Sequence, residues 1–208
     1  NRIYVTNSSS NNVTVINGAT NATTTVNAGT LPTAVAVNAV TNRVYVANNT
    51  SGNVTVIDGN TNITTLVAVG VKPRNIAVNP VTNKIYVVNQ SSVTVIDGAT
   101  NSLTTLASGL VSGAIAVNPV TNKIYVADEI GGKVTVIDGA SNTTNTITVG
   151  ASPIAIAINP ATNKIYVAND GSATVSVVDG NSNSVTTVVA GTNPRALAIN
   201  MASNKIYV

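Results

Sequence analysis

A chain of 208 residues, of which only 8% are charged and whose formal net charge is +3, lacks the clustered basic residues and stacking aromatics of a nucleic-acid binder. Its ten Lys and Arg are dispersed, and Phe and Trp are absent. Cysteine and histidine are absent too, which excludes a disulfide framework, thiol catalysis, a Ser-His-Asp triad and imidazole metal sites.

The remaining composition favours strands. Hydrophobic residues make up 44% of the chain, nearly all Val, Ile, Ala and Leu, and no window approaches the length of an apolar membrane-spanning helix. The sequence opens at Asn1-Arg2-Ile3 without Met and in the middle of a repeat, so a processed product or a slice of something longer is expected.

Tyr4, Tyr45, Tyr86, Tyr125, Tyr166 and Tyr207 each sit in an Ile/Val-Tyr-Val triplet, spaced 41, 41, 39, 41 and 41 residues apart. Repeats therefore start near residues 1, 42, 83, 122 and 163, with a partial repeat over 204–208. The clearest repeat reads as four short strands: A over Ala114–Val117, B over Lys123–Val126, C over Val134–Ile137 and D over Thr144–Val149. Asn118 to Asn122 and Asp138 to Asn142 hold the Pro, Asn and Gly suited to turns. In chain order the pattern predicts B, C and D strands, four complete A to D sets, then A and B.

A period near 40 residues built from β segments is that of a four-stranded propeller blade. The fold class is thus all-β, a propeller of antiparallel blades within a single domain over 1–208, closed at five blades or cut from a ring of six or seven. Ala34, Ala36, Ala77, Ala114, Ala116, Ala155, Ala157, Ala196 and Ala198 recur in the A strands, where small side chains allow close approach. Each Tyr is expected to fill the wider gap between adjacent sheets, its hydroxyl finding a partner.

Segments such as Asn159-Pro160-Ala161-Thr162-Asn163-Lys164-Ile165-Tyr166-Val167, and Tyr4-Val5-Thr6-Asn7 itself, resemble the YVTN-type β-propeller repeats of prokaryotic surface proteins. The resemblance covers the whole chain. It implies a secreted or cell-surface bacterial or archaeal protein with a role in envelope layers, adhesion or interaction, and it says little of chemistry, because propellers host many functions.

In an up-and-down blade the A–B and C–D turns share one end, and the B–C and D–A loops share the other. Two charged series recur at the first end: Arg2, Arg43, Lys84, Lys123, Lys164 and Lys205 open B strands, and Asp58, Asp97, Asp138 and Asp179 close C strands. A charge copied into every blade serves the blade, so each Asp is read as accepting turn N–H groups beside a cation in a surface pair. The charges that do not repeat are the candidate binding residues: Lys72, Arg74, Asp128, Glu129, Lys133, Asp170 and Arg195, all in B–C or D–A loops.

Asp128, Glu129 and Asp170 are the acids to weigh as a catalytic pair or calcium cluster, yet calcium-loop spacing is missing and the A strands carry no acid. No catalytic residue, metal or cofactor is assigned. Among Asn-x-Ser/Thr sequons, the loop positions Asn7, Asn48, Asn49 and Asn89 are the candidate glycan acceptors.

The function expected is a non-enzymatic extracellular scaffold, adhesion or protein-interaction module, its partners being other surface proteins or itself. Two alternatives stand beside it. One is a carbohydrate-binding, lectin-like propeller with a shallow site per blade, and the other is a subunit of an extracellular filament or layer, in which Ile206-Tyr207-Val208 of one molecule enters the slot of Ile3-Tyr4-Val5 in the next.

Overall fold

A computed structural model describes residues 1–107 and 113–208, in two compact units, Asn1–Ala107 and Ser108–Val208. The first unit opens with a three-stranded sheet, β1 (Arg2–Asn7), β2 (Asn12–Asn17) and β3 (Thr23–Asn27). A four-stranded sheet follows, made of β4 (Pro32–Asn38), β5 (Arg43–Asn48), β6 (Asn53–Asp58) and β7 (Thr64–Ala68). A second comprises β8 (Asn75–Asn79), β9 (Lys84–Val88), β10 (Ser92–Asp97) and β11 (Leu103–Ala107).

The second unit repeats the design. β12 (Ile115–Asn118), β13 (Lys123–Asp128), β14 (Lys133–Asp138) and β15 (Thr144–Thr148) form one four-stranded sheet. β16 (Pro153–Asn159), β17 (Lys164–Asn169), β18 (Thr174–Asp179) and β19 (Val185–Val189) form the next, with a 3-10 turn, η1 (Asp170–Ser172), between β17 and β18. β20 (Ala198–Asn200) and β21 (Lys205–Tyr207) make a two-stranded sheet. All neighbours are antiparallel and consecutive in sequence, as the B-C-D, four sets, A-B reading predicts.

Within each unit, a sheet presents its Tyr face to the sheet that follows. Tyr45, Val54, Val56 and Val67 pack against Ile76, Ile85, Val87 and Ile96 of β8–β11 in one buried cluster. Val13, Val15 and Val26, with Tyr4 beside them, pack in the same way against Val44, Val46 and Ile57. In the second unit, Tyr125, Val134, Val136 and Ile147 meet Ile165, Val167 and Val178. Full burial of each such aliphatic side chain contributes roughly 1.5–3 kcal/mol, so these inter-sheet layers carry much of the stability.

The alanines of the A strands have a more specific place than closeness alone. Ala36, Ala77, Ala116, Ala157 and Ala198 each lie directly opposite the Tyr of their own sheet, so a small side chain leaves room for the ring on a shared face. The Tyr125 hydroxyl departs from expectation. Tyr125 Oη is buried without a hydrogen-bond partner among the described residues, and burial, with Asp179 adding to it, pushes the phenol up to about 12.

The turns follow from asparagine chemistry. Asn42, Asn83, Asn122, Asn163 and Asn204 in A–B turns, and Asn21, Asn62, Asn101, Asn142 and Asn183 in C–D turns, all have left-handed backbones, which Asn tolerates better than other non-glycine residues. The two turns at one end are also bonded to each other: Gly59 N donates to Asn42 O at 2.8 Å, and Gly180 N to Asn163 O at 2.8 Å.

Candidate functional site

The seven non-repeated charges occupy the B–C and D–A ends of their sheets, but they do not form one constellation. In the first unit, Lys72 is exposed and left-handed, φ 51°, immediately before Pro73. Its loop is pinned by Asn49 Nδ2 donating to Pro73 O at 3.2 Å and by Gln90 N donating to Val71 O at 2.9 Å. Lys72 thus borders a cleft of about 520 Å³ lined also by Val69 and Val71, with Asn49, Thr50 and Ser51 along it. Arg74 is exposed immediately before β8.

In the second unit, Asp128 and Lys133 face each other at the ends of β13 and β14, and Asp128 Oδ1 accepts from Gly131 N at 2.9 Å, which shapes the intervening loop. Glu129 is exposed in that loop. Asp170 opens η1 and meets Arg195 Nε at 3.4 Å, so this pair is brought together. Arg195 is 75% exposed on its side chain, and a surface pair of this kind is worth about 0–1 kcal/mol. Among the described residues no group of three acids converges as a metal site would need.

The opposite end is more ordered than a set of surface pairs. Asp58 Oδ1 accepts from Asn60 N and Thr61 N, both at 2.9 Å, and Asp97, Asp138 and Asp179 repeat the arrangement. Those backbone N–H bonds come first in holding all four carboxyls below the usual range. The cations, by contrast, leave their own sheet. Arg43 Nη1 donates to Gly98 O at 2.8 Å and Lys123 Nζ to Gly180 O at 2.9 Å, each in the C–D turn of the next sheet. Arg2 does the same to Gly59 O. The in-sheet pairing expected from sequence occurs at Lys164, 3.9 Å from Asp179.

A second inter-sheet series had no signal in single-repeat reading. Asn38 Nδ2 donates to Asn83 Oδ1, Asn118 Nδ2 to Asn163 Oδ1 and Asn159 Nδ2 to Asn204 Oδ1, each at 2.8 Å across 45 residues. Only alignment of neighbouring repeats, with the A-strand Asn of one beside the turn Asn of the next, could have exposed it.

These links frame a recurrent recess. In the first unit Arg43, Asp58, Thr61, Thr65 and Asn101 line a space of about 350 Å³; in the second, Lys123, Asp138, Thr143, Asn145 and Asn183 line one of about 140 Å³. In both, the side-chain oxygen of the turn asparagine, Asn101 or Asn183, is buried without a hydrogen-bond partner among the described residues.

The sequon expectation needs correction at two positions. Asn48 and Asn89 are buried, and their amide nitrogens are committed: Asn48 Nδ2 donates to Asn53 Oδ1 and Thr55 Oγ1 at 2.8 Å, and Asn89 Nδ2 to Thr94 Oγ1 at 2.9 Å. A glycan on either nitrogen has no room and breaks the bonds. Asn7 and Asn49 are partly exposed, although Asn7 Nδ2 also donates to Asn12 and Thr14, and Asn49 Nδ2 holds Pro73.

No protein-family model matches the chain, and no curated protein does. Solved structures do. A functionally unknown protein from Desulfotomaculum acetoxidans DSM 771 superposes over 100% of this chain and 72% of its own, with TM-score 0.85 and 14% identity. This chain has a propeller-like fold. The nidogen/laminin complex matches 94% of it and 88% of the other chain, with TM-score 0.71 and 12% identity. Dihydro-heme d1 dehydrogenase NirN, solved in complex with DHE, matches 89% of it and 43% of the other chain, with TM-score 0.73 and 17% identity. At these identities the likeness is one of fold.

Proposed function

We propose that this chain is a non-enzymatic scaffold or protein-interaction module of a prokaryotic cell surface, built from YVTN-type propeller blades, with its partner surface at the B–C and D–A ends. The observation that carries this reading is the division of charge between the two ends. At the A–B and C–D ends the charges are tied into the frame by turn N–H groups and neighbouring carbonyls. At the other end Lys72, Glu129, Lys133 and Arg195 are exposed and vary from sheet to sheet, as expected where a rigid scaffold presents binding residues.

The fold neighbours support a propeller without selecting a role, since one is a protein complex and another an enzyme. Against catalysis stands the composition, which offers neither His nor Cys. The test is retention on isolated prokaryotic cell envelopes. The Asp128→Ala, Glu129→Ala, Asp170→Ala variant should fold and lose retention, and retention equal to the parent protein rejects the surface assigned.

One observation favours carbohydrate binding as a second reading. The Arg43/Asp58 and Lys123/Asp138 recesses repeat a cation, a carboxylate, hydroxyls and an unpartnered amide oxygen, a donor and acceptor set suited to sugar hydroxyls. Glycan-array binding lost in Thr61→Val and Thr143→Val would favour it over the protein-binding reading.

A further inference from the structure

One backbone conformation is met with different residues at the two ends of the sheets. Among the described residues, every left-handed position of an A–B or C–D turn holds Asn, as at Asn42, Asn62, Asn122 and Asn183. The same conformation recurs in the D–A loops, where it falls to Leu31 (φ 57°), Lys72 (φ 51°), Ser152 (φ 51°) and Asn193 (φ 54°). Each stands directly before a buried proline, Pro32, Pro73, Pro153 or Pro194. For Leu and Lys a left-handed backbone is costly, and the proline that follows narrows the choice further, whereas Asn tolerates it. Asn193 shows that the loop accepts Asn, so the backbone is not what selects Leu31 or Lys72. Burial does not select them either, for both side chains are exposed. A strained position kept against an easier residue points to what its side chain contacts.

In the first unit the two loops that carry these positions are joined. Asn49 N donates to Leu31 O at 2.8 Å while Asn49 Nδ2 donates to Pro73 O at 3.2 Å, so one residue ties both loops together. Thr33 Oγ1 adds a bond to Arg74 O at 3.2 Å. Leu31, Val71, Lys72 and Arg74 are all exposed along this join, and Val71 and Lys72 line the cleft of about 520 Å³. The charge there has one sign. Asp58 and Asp97 are the acids of Asn1–Ala107, and both close C strands at the opposite end.

We propose that Leu31 and Lys72 are specificity-determining positions at the B–C and D–A end of the first unit, and that they select an acidic protein segment with apolar side chains among its carboxylates. The proposal rests on the reading of that end as the partner surface. Lys72 and Arg74 attract the carboxylates, and Leu31 and Val71 cover the apolar side chains. The bonds through Asn49 and Thr33 fix both loops before the partner arrives, which lowers the cost of ordering them on binding. A polyuronate offers the same carboxylates but nothing for Leu31 and Val71 to cover, and protein is therefore the class of partner assigned.

Fluorescence anisotropy with a labelled random Glu/Tyr copolymer, run beside urea unfolding, tests this on Lys72→Asn and Leu31→Asn. Both variants should unfold at higher urea than the parent chain, because Asn relieves the backbone, and both should bind the copolymer several times more weakly. A side chain kept for the fold would give the opposite shift in stability. Polygalacturonate should bind the parent chain more weakly than the copolymer does. A parent chain that does not bind the copolymer, a lower urea midpoint in either variant, or polygalacturonate bound as tightly as the copolymer overturns the proposal. The Asp128→Ala, Glu129→Ala, Asp170→Ala variant, altered only in the second unit, separates this proposal from the reading beneath it: it should lose envelope retention and keep copolymer binding. Copolymer binding unaffected by Lys72→Asn, beside lost envelope retention in that variant, rejects the assignment of Lys72 and leaves the wider reading standing.

Discussion

The Arg43 guanidinium donates to the carbonyl of Gly98 at 2.8 Å, joining the start of a B strand to a turn 55 residues later in the next sheet. The same reach by Arg2 and Lys123 makes the repeated cation an inter-sheet clasp. Replacing Arg43 with Ala should therefore cost about 1.5–3 kcal/mol, the usual range for a hydrogen bond with a charged partner. Urea unfolding checks this, and Lys164→Ala, whose partner is a partly exposed in-sheet carboxylate 3.9 Å away, should cost much less.

Asp58, Asp97, Asp138 and Asp179 have folded-state pKa values below their unfolded ones. The stability they confer is present above the unfolded value near 3.9 and is lost as pH falls through the folded values. Thermal midpoints should fall on acidification below about pH 4. The fourfold Asp→Asn variant should flatten that limb, since Asn17 already caps its own turn through Oδ1 to Ala19 N at 2.9 Å without titrating.

Tyr125→Phe should leave stability unchanged or raise it by up to about 1 kcal/mol, because the hydroxyl it removes is buried without a partner among the described residues. Denaturant midpoints decide the matter. A marked loss of stability would mean that the hydroxyl is satisfied.

Asn48 is fully buried and bonded to Asn53 and Thr55. Asn48→Ala should destabilise by about 1–3 kcal/mol, and peptide mapping of protein isolated from its native source should find Asn48 and Asn89 unmodified. Occupancy at either asparagine contradicts their burial.

The Tyr spacing made the strand order legible, because each repeat carries its own β-branched runs and turn residues. The left-handed turn asparagines were legible for the same reason. What escaped were links between repeats: Asn38 to Asn83, or Lys123 to Gly180, join residues whose local sequence announces only a turn and a strand start. The sequons misled at Asn48, the last residue of β5, and at Asn89, the residue after β9, where burial decides the side chain's role. Sequence placed the candidate charges at one end of the sheets, but only the fold pairs Asp170 with Arg195 and leaves Glu129 exposed.

Lysines stand at both ends of the sheets, which allows the central claim to be tested on the protein in place. Lys72 and Lys133 belong to the B–C and D–A ends, and Lys84, Lys123 and Lys164 to the other. Amine-reactive cross-linking on intact cells, read by mass spectrometry, should give links to other proteins at Lys72 and Lys133. Links to other proteins confined to Lys84, Lys123 and Lys164 would contradict the account.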